Sequence, residues 1–195
     1  MTPFRSVRAA GLLLLGSAAV VALPAGSASA TTAEVSVTNF QFTPAHVSVS
    51  QGGSVGWTFH AMHTSTSNQD FWNSGRRASG TYTVHFPDAG RFGYHCTMHP
   101  SMTGSVAGPM RAAGSASAGW RIVWSSRSST PANRRYDVQV RKPGGSTWSP
   151  YRSASAARSS SFDPARSGSY VFRARTRNGS HGASGWSPHL SLRIS

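Results

Sequence analysis

Between residues 35 and 107, apolar side chains recur at every second position in short runs, the period of a strand with one face buried. The alternation predicts strands over 35–42, 47–49, 55–59, 82–86 and 91–95, with a last short one near 105–107. Turn-forming residues separate them at Gln51-Gly52-Gly53, Ser74-Gly75, Pro87-Asp88-Ala89-Gly90 and Met102-Thr103-Gly104. The same period returns after residue 120, where Trp120, Ile122 and Trp124 share one face, as do Tyr136, Val138 and Val140, and Tyr170, Phe172 and Ala174. Pro143-Gly144-Gly145-Ser146 and Asn178-Gly179 mark turns there. The expected fold class is therefore all-β, with two β-sandwich domains.

Composition agrees: 20 glycines and 11 prolines in 195 residues disfavour long helices. This length holds one or two small domains and excludes a large multidomain enzyme. Residues 1–30 differ from the rest. Arg5 and Arg8 precede an apolar stretch from Ala9 to Leu23, and Ala28-Ser29-Ala30 offers a small-residue cleavage site, the plan of a secretory signal peptide. The mature chain is expected to begin at Thr31, in a secreted or extracytoplasmic location, without a membrane span. Its single cysteine, Cys96, excludes an intramolecular disulfide.

Charge divides the mature chain in two. Residues 31–110 balance Arg76, Arg77 and Arg91 against Glu34, Asp70 and Asp88. Residues 111–195 hold thirteen arginines and Lys142 against Asp137 and Asp163, a surplus of +12. The break coincides with a small-residue stretch, 109–119, that lacks an apolar period and reads as a flexible linker. The expected organisation is a signal peptide (1–30), a first domain (31–108), the linker (109–119) and a second domain (120–195).

The chemistry lies in Tyr94-His95-Cys96-Thr97-Met98-His99-Pro100-Ser101-Met102, with His63 upstream. A thiolate, an imidazole three residues later and a thioether three residues after that can turn toward one point from a strand-end loop, and one distant histidine completes the set. Two imidazoles, one thiolate and a weak axial thioether suit a blue-copper site. Zinc usually takes further cysteines or a carboxylate, and this segment has neither.

The run resembles the cupredoxins, particularly the plastocyanin and amicyanin type, and its short Cys-x-x-His-x-x-Met loop is most similar to amicyanin. Phe42-Thr43-Pro44, Val47-Ser48-Val49, Val55-Gly56-Trp57, His63-Thr64-Ser65-Thr66, Phe71-Trp72-Asn73-Ser74-Gly75 and Gly90 to Cys96 also fit in order and spacing. The resemblance implies one type 1 copper per chain, with His63, Cys96 and His99 as equatorial ligands and Met102 as the axial one. It also implies a hydrogen bond from the Thr64 amide to the Cys96 sulfur, and an electron port at His99 beside Pro100. The chain departs from the pattern in its extra donors. Strand alternation places His95 on the face opposite Cys96. His60 and Met62 are expected to be surface or copper-capturing groups, and His46 and His85 structural or surface histidines.

The second domain is similar to fibronectin type III modules in Trp124, Tyr136 to Arg141, Trp148, Tyr170 to Asn178 and Gly185-Trp186-Ser187-Pro188. That topology implies a basic solvent face of Arg141, Arg173, Arg175 and Arg177, suited to an anionic cell-surface polymer, while Trp148 and Trp186 are expected in the core. The expected function is an exported blue-copper protein that passes single electrons between redox partner proteins, with the second domain as spacer or adhesion module. The alternative is a copper-binding or copper-delivery protein. An enzyme is not expected, because four protein ligands leave no open copper position and no nucleophile elbow or phosphate-cradling motif is present. Nucleic-acid binding is not expected of an exported sandwich without a reading element.

Overall fold

The computed structural model describes residues 31–115 and 117–195, so the signal peptide expected at 1–30 lies outside the described residues. The described secondary structure is strands and one short 3-10 turn, Gly179–His181, and the chain is all-β as the alternation predicts. Among the described residues no helix is long and apolar enough to cross a membrane.

The N-terminal half contains β1 (Thr32–Thr38), β2 (Gln41–Thr43), β3 (His46–Ser48), β4 (Gly53–Phe59), β5 (Thr66–Ser67), β6 (Gly80–Phe86), β7 (Gly90–Cys96) and β8 (His99–Gly108). They form two sheets, ordered β2-β1-β4-β6 and β3-β8-β7-β5. β1 runs parallel to β4 and β3 parallel to β8. Val35, Val37, Trp57 and Phe59 from one sheet meet Phe92, Tyr94, Cys96 and Val106 from the other in a single apolar cluster. Trp57 has no exposed surface and packs its ring against Trp72 and Tyr94, at centroid distances of 5.5 and 5.3 Å. The strand predicted over 35–42 is divided: β1 and β2 are antiparallel, with Thr38 opposite Gln41. Val35, Val37 and Phe42 keep facing inward through the reversal, so apolar alternation alone does not show it. Opposite Tyr94 stands Gly104, where a Cβ would collide with the Tyr94 ring and the Ala45 carbonyl.

The C-terminal half contains β9 (Arg111–Ser115), β10 (Gly119–Val123), β11 (Arg134–Arg141), β12 (Ser149–Ser155), β13 (Ser159–Phe162), β14 (Gly168–Asn178) and β15 (Leu190–Ile194). A three-stranded sheet, β13-β10-β9, faces a four-stranded one, β12-β11-β14-β15, around Ile122, Trp124, Tyr136, Val138, Phe172 and Ala174. The expected flexible linker needs correction. Residues 111–115 are strand β9, paired antiparallel along β10, and Met110 is buried in the C-terminal core. Small side chains conceal the alternation there: Ala112 packs inward while Arg111 and Ala113 face out. Gly114 approaches the Gly119 backbone so closely that any Cβ would overlap its carbonyl oxygen.

Trp148 and Trp186 also depart from expectation, since both lie outside the core cluster and are half-buried. Arg173, Arg175 and Arg177 alternate along one face of β14, and the first two, with Arg141 of β11, lie over these indole rings. Arg173 lies 4.2 Å from the Trp148 centroid and 4.6 Å from that of Trp186, Arg175 lies 4.8 Å from Trp186, and Arg141 lies 5.3 Å from Trp148. Stacked cations hold the indoles on the outer face. Arg175 and Arg177 also pair with Asp137 on β11, at 2.7 and 2.8 Å. Burial by itself would raise the Asp137 carboxyl, but the Ala154 amide, Arg177 and Arg175 outweigh it and hold the group below its ordinary value. A depressed carboxylate contributes stability that is present above its unfolded value, about 3.9, and is lost as pH falls through the folded one. Asp137→Asn is therefore expected to be less stable than the parent at neutral pH, with the gap closing below about pH 4. Urea midpoints of the two proteins at pH 7 and pH 3 check this; a gap that stays constant would contradict it.

The two halves share a hydrogen-bonded seam. The turn between β6 and β7 inserts into the C-terminal half: Ala89 is fully buried in that half's core and its amide bonds the Trp124 carbonyl at 2.8 Å. The Asp88 carboxylate, also buried, accepts hydrogen bonds from Ser125 Oγ (2.7 Å), Tyr136 Oη (2.9 Å) and Arg127 Nε (2.8 Å). Arg91 and Gly185 exchange two backbone bonds, and Asn178 Nδ2 reaches the carbonyls of Gln69 and Asp70. From this seam β7 runs on to Cys96, roughly 20 Å away at the usual strand rise.

Candidate metal centre

The far end of β7 brings together three donors that are distant in sequence. Strand alternation turns Cys96 inward with Phe92 and Tyr94, and leaves it fully buried. A register shift between His95 and Cys96 then puts His99 opposite Cys96 at the start of β8. His63 comes from the segment between β4 and β5, where its backbone pairs in both directions with Arg77 (3.0 and 2.9 Å). Cys96 Sγ lies 3.6 Å from His63 Nδ1 and 3.6 Å from His99 Nδ1, and the two nitrogens are 3.1 Å apart. Among the described residues this is the cluster of His, Cys and carboxylate groups suited to an ion.

A triangle with these edges has a point about 2.0 Å from all three donors, the length of a metal–imidazole bond and slightly short of a metal–thiolate bond. The donors thus fit a trigonal ion, and two imidazoles with one thiolate are the soft, mixed set that copper favours.

Surrounding groups hold the donors in place. Asn39 Oδ1 is 3.0 Å from His63 Nε2; a proton donated there leaves the Nδ1 lone pair free to face the other two ligands. Burial, then the neighbouring His99, pushes the His63 pKa below its ordinary value, which keeps the ring neutral. The Thr64 amide donates to Cys96 Sγ at 3.4 Å, the contact that the resemblance implies. Thr64 Oγ1 accepts the Thr97 amide at 2.8 Å, which ties the segment after His63 to the loop after Cys96. Behind them, the Ser65 amide donates to Ser74 Oγ (2.8 Å) and Trp72 Nε1 to Ser65 Oγ (3.0 Å).

Met102 is buried on β8 within the same apolar cluster as Cys96, and Met98 packs against that cluster. His95 stands apart from the three donors, with Nδ1 2.8 Å from Asn68 Oδ1. His46 Nδ1 meets Ser105 Oγ at 3.0 Å, while His60 and His85 are exposed. Sequence reasoning missed Asn39 and Phe40. Both lie in the β1–β2 turn, inside a run that reads as one strand. The Phe40 ring is 64% exposed, yet it stands edge-on to His99 at 4.7 Å and to His63 at 6.0 Å. Half-buried His99, exposed Phe40, exposed Pro100 and exposed Met62 belong to this end of the molecule.

No protein-family model matches the chain, and no curated protein matches it. Solved structures similar to it include a reduced Cu(I) proline-to-glycine variant of amicyanin, at 24% identity with a TM-score of 0.36, covering 40% of this chain and 81% of that one. An oxidised methionine-to-leucine variant of amicyanin is similar at 21% identity and a TM-score of 0.36, covering 39% of this chain and 80% of that one. The Cu-containing nitrite reductase of Thermus scotoductus is similar at 18% identity and a TM-score of 0.37, covering 45% of this chain and 24% of that enzyme. Each of these likenesses spans less than half of the chain.

Proposed function

We propose that the chain is an exported type 1 copper protein that carries single electrons between partner proteins, and that it is not an enzyme. The observation that carries this reading is the triangle of His63 Nδ1, Cys96 Sγ and His99 Nδ1, with edges of 3.1–3.6 Å and one point within bonding distance of all three. Met102 is assigned as the axial ligand from its place in the Cys-x-x-His-x-x-Met loop, and its burial in the same apolar cluster as Cys96 supports this. Copper held by this set supplies a one-electron couple.

The rest of the work falls to the chain. Full burial of His63 and Cys96 keeps water from the donors. Asn39 and the Thr64 amide fix the His63 ring and the thiolate sulfur, so the ligands have little to rearrange when the charge on the site changes. Half-buried His99 brings the site to the surface, and the exposed Phe40 ring beside it offers a partner an apolar edge. The C-terminal half is proposed to be a fibronectin type III-like module, a reading supported by its three-plus-four strand arrangement. Its hydrogen-bonded seam with the N-terminal half ties it directly to the copper half.

Exposed Met62 and His60, just before His63, favour a second reading as a copper-delivery protein that captures the ion at its surface. One titration separates the two. Residues 31–195 titrated with Cu(II) are expected to develop an intense blue absorption that saturates at one copper per chain and bleaches and returns on cycles of reductant and oxidant. Colour that fails to develop, or that does not return, overturns the electron-carrier reading; metal lost on reduction supports delivery.

A further inference from the structure

The arginines of β14 are poorly placed to receive an external anion. Arg175 and Arg177 already pair with Asp137, and Arg173 is bonded to Gln139 and stacked between two indoles. The opposite sheet differs. On the outer face of β13-β10-β9, small side chains at Ala113 and Ser159 leave an open trough of about 470 Å³, rimmed by Arg111, Arg121, Arg127 and Arg158. Among the described residues no carboxylate lines it, and of these four arginines only Arg127 has an ion-pair partner there, Asp88.

Each guanidinium is steadied from within the protein. Arg111 Nε donates to Gln51 Oε1 at 2.9 Å, Arg121 Nε to Ser159 Oγ at 2.8 Å, Arg127 Nε to Asp88 and Arg158 Nη1 to the Arg127 carbonyl. A guanidinium carries five N–H donors, so these anchors fix its position while leaving others for a ligand. Like charges gathered without a counter-charge repel one another, and an anion that bridges them removes the repulsion. The planar forks match phosphate oxygens, the volume suits a small ligand, and the surplus of three unpaired cations calls for several linked charges rather than one.

We infer that this trough is a binding site for a short chain of phosphate groups. It shares no residue with His63, Cys96 and His99, so the inference stands apart from the metal reading. The trough abuts the seam, where Gln51 Nε2 bonds the Val123 carbonyl, and the donor triangle lies at the other end of β7. A bound oligophosphate therefore leaves the His99 end uncovered.

Inorganic tripolyphosphate is the probe, titrated calorimetrically into metal-free full chain. The double variant Arg111→Gln with Arg121→Gln removes two rim cations; Arg141→Gln with Arg193→Gln removes the same charge from the other sheet. Binding is expected to weaken roughly 10-fold or more in the first and to change less than about two-fold in the second. Orthophosphate, which spans fewer of the cations, is expected to bind the parent at least about 10-fold more weakly. Equal weakening in both double variants would assign binding to bulk charge and overturn the site. The absence of tripolyphosphate binding, or orthophosphate binding of equal strength, would overturn it too. Thermal unfolding of both variants without ligand checks that each is folded.

Discussion

Asp88→Ala is expected to destabilise the protein by about 3–5 kcal/mol, because it removes the acceptor from three donors at once and leaves Arg127 without its counter-charge. The carboxylate is 5% exposed, so water does not readily replace it. Ser125 and Tyr136 hydroxyls, both buried, lose a partner whose replacement would need a cavity water. For a chain of this size the loss corresponds to a fall of roughly 6–20 °C in Tm. Asp88 joins the turn of one sandwich to β11 and to the segment that follows β10 in the other, so unfolding that is a single transition in the parent is expected to separate into two. Differential scanning calorimetry reads both quantities. A shift worth less than about 1 kcal/mol would mean that the seam is held by its backbone bonds alone. Blue absorption in the surviving folded protein is expected to persist, because the donor triangle lies at the other end of β7.

Cys96→Ser is expected to abolish that absorption entirely. A serine hydroxyl is neutral at pH 7 and holds its electrons tightly, so the strongly coloured transfer of charge from sulfur to Cu(II) has no counterpart. Two imidazoles remain, and Cu(II) bound to them is expected to be pale and at least about 100-fold weaker in affinity. Serine is close in size to cysteine and the Thr64 amide retains an acceptor, so the fold is expected to survive at a cost of about 1–2 kcal/mol. His95→Ala is the matched control. Only one residue away, it lies on the other face of β7 and bonds Asn68, and its blue band is expected to equal that of the parent. A band that survives Cys96→Ser, or one that disappears with His95→Ala, would place the metal elsewhere.

The contrast between these neighbouring residues shows how much of the site is readable from one dimension. Period-two alternation separates His95 from Cys96, and the spacing Cys96, His99, Met102 follows from a short loop at a strand end. His63 is legible as a remote donor, but its closeness to Cys96 depends on the pairing of β5 with β7, and β5 is a two-residue polar strand with no hydrophobic signature. Asn39 and Phe40 are invisible for a different reason: a hairpin reversal inside a continuous apolar alternation leaves both faces in phase. Trp148 and Trp186 were expected inside because large aromatic rings usually bury most area, yet arginines spaced two apart on β14 supply an alternative stacking partner at the surface.

By itself, the sequence determined the all-β class, the identity of the candidate ligands, the division into a neutral and a strongly basic half, and the inward faces of the main strands. These depend on local period, residue chemistry and composition, which need no knowledge of distant contacts. Tertiary structure alone decided that 111–115 is a paired strand, that Asp88 and Ala89 lock the halves together, that Asp137 occupies two of the β14 arginines, and that four other arginines rim an open trough. Each of these depends on which groups face one another across long sequence separations, and hydrogen-bond partners and counter-charges are chosen only when the backbones have paired.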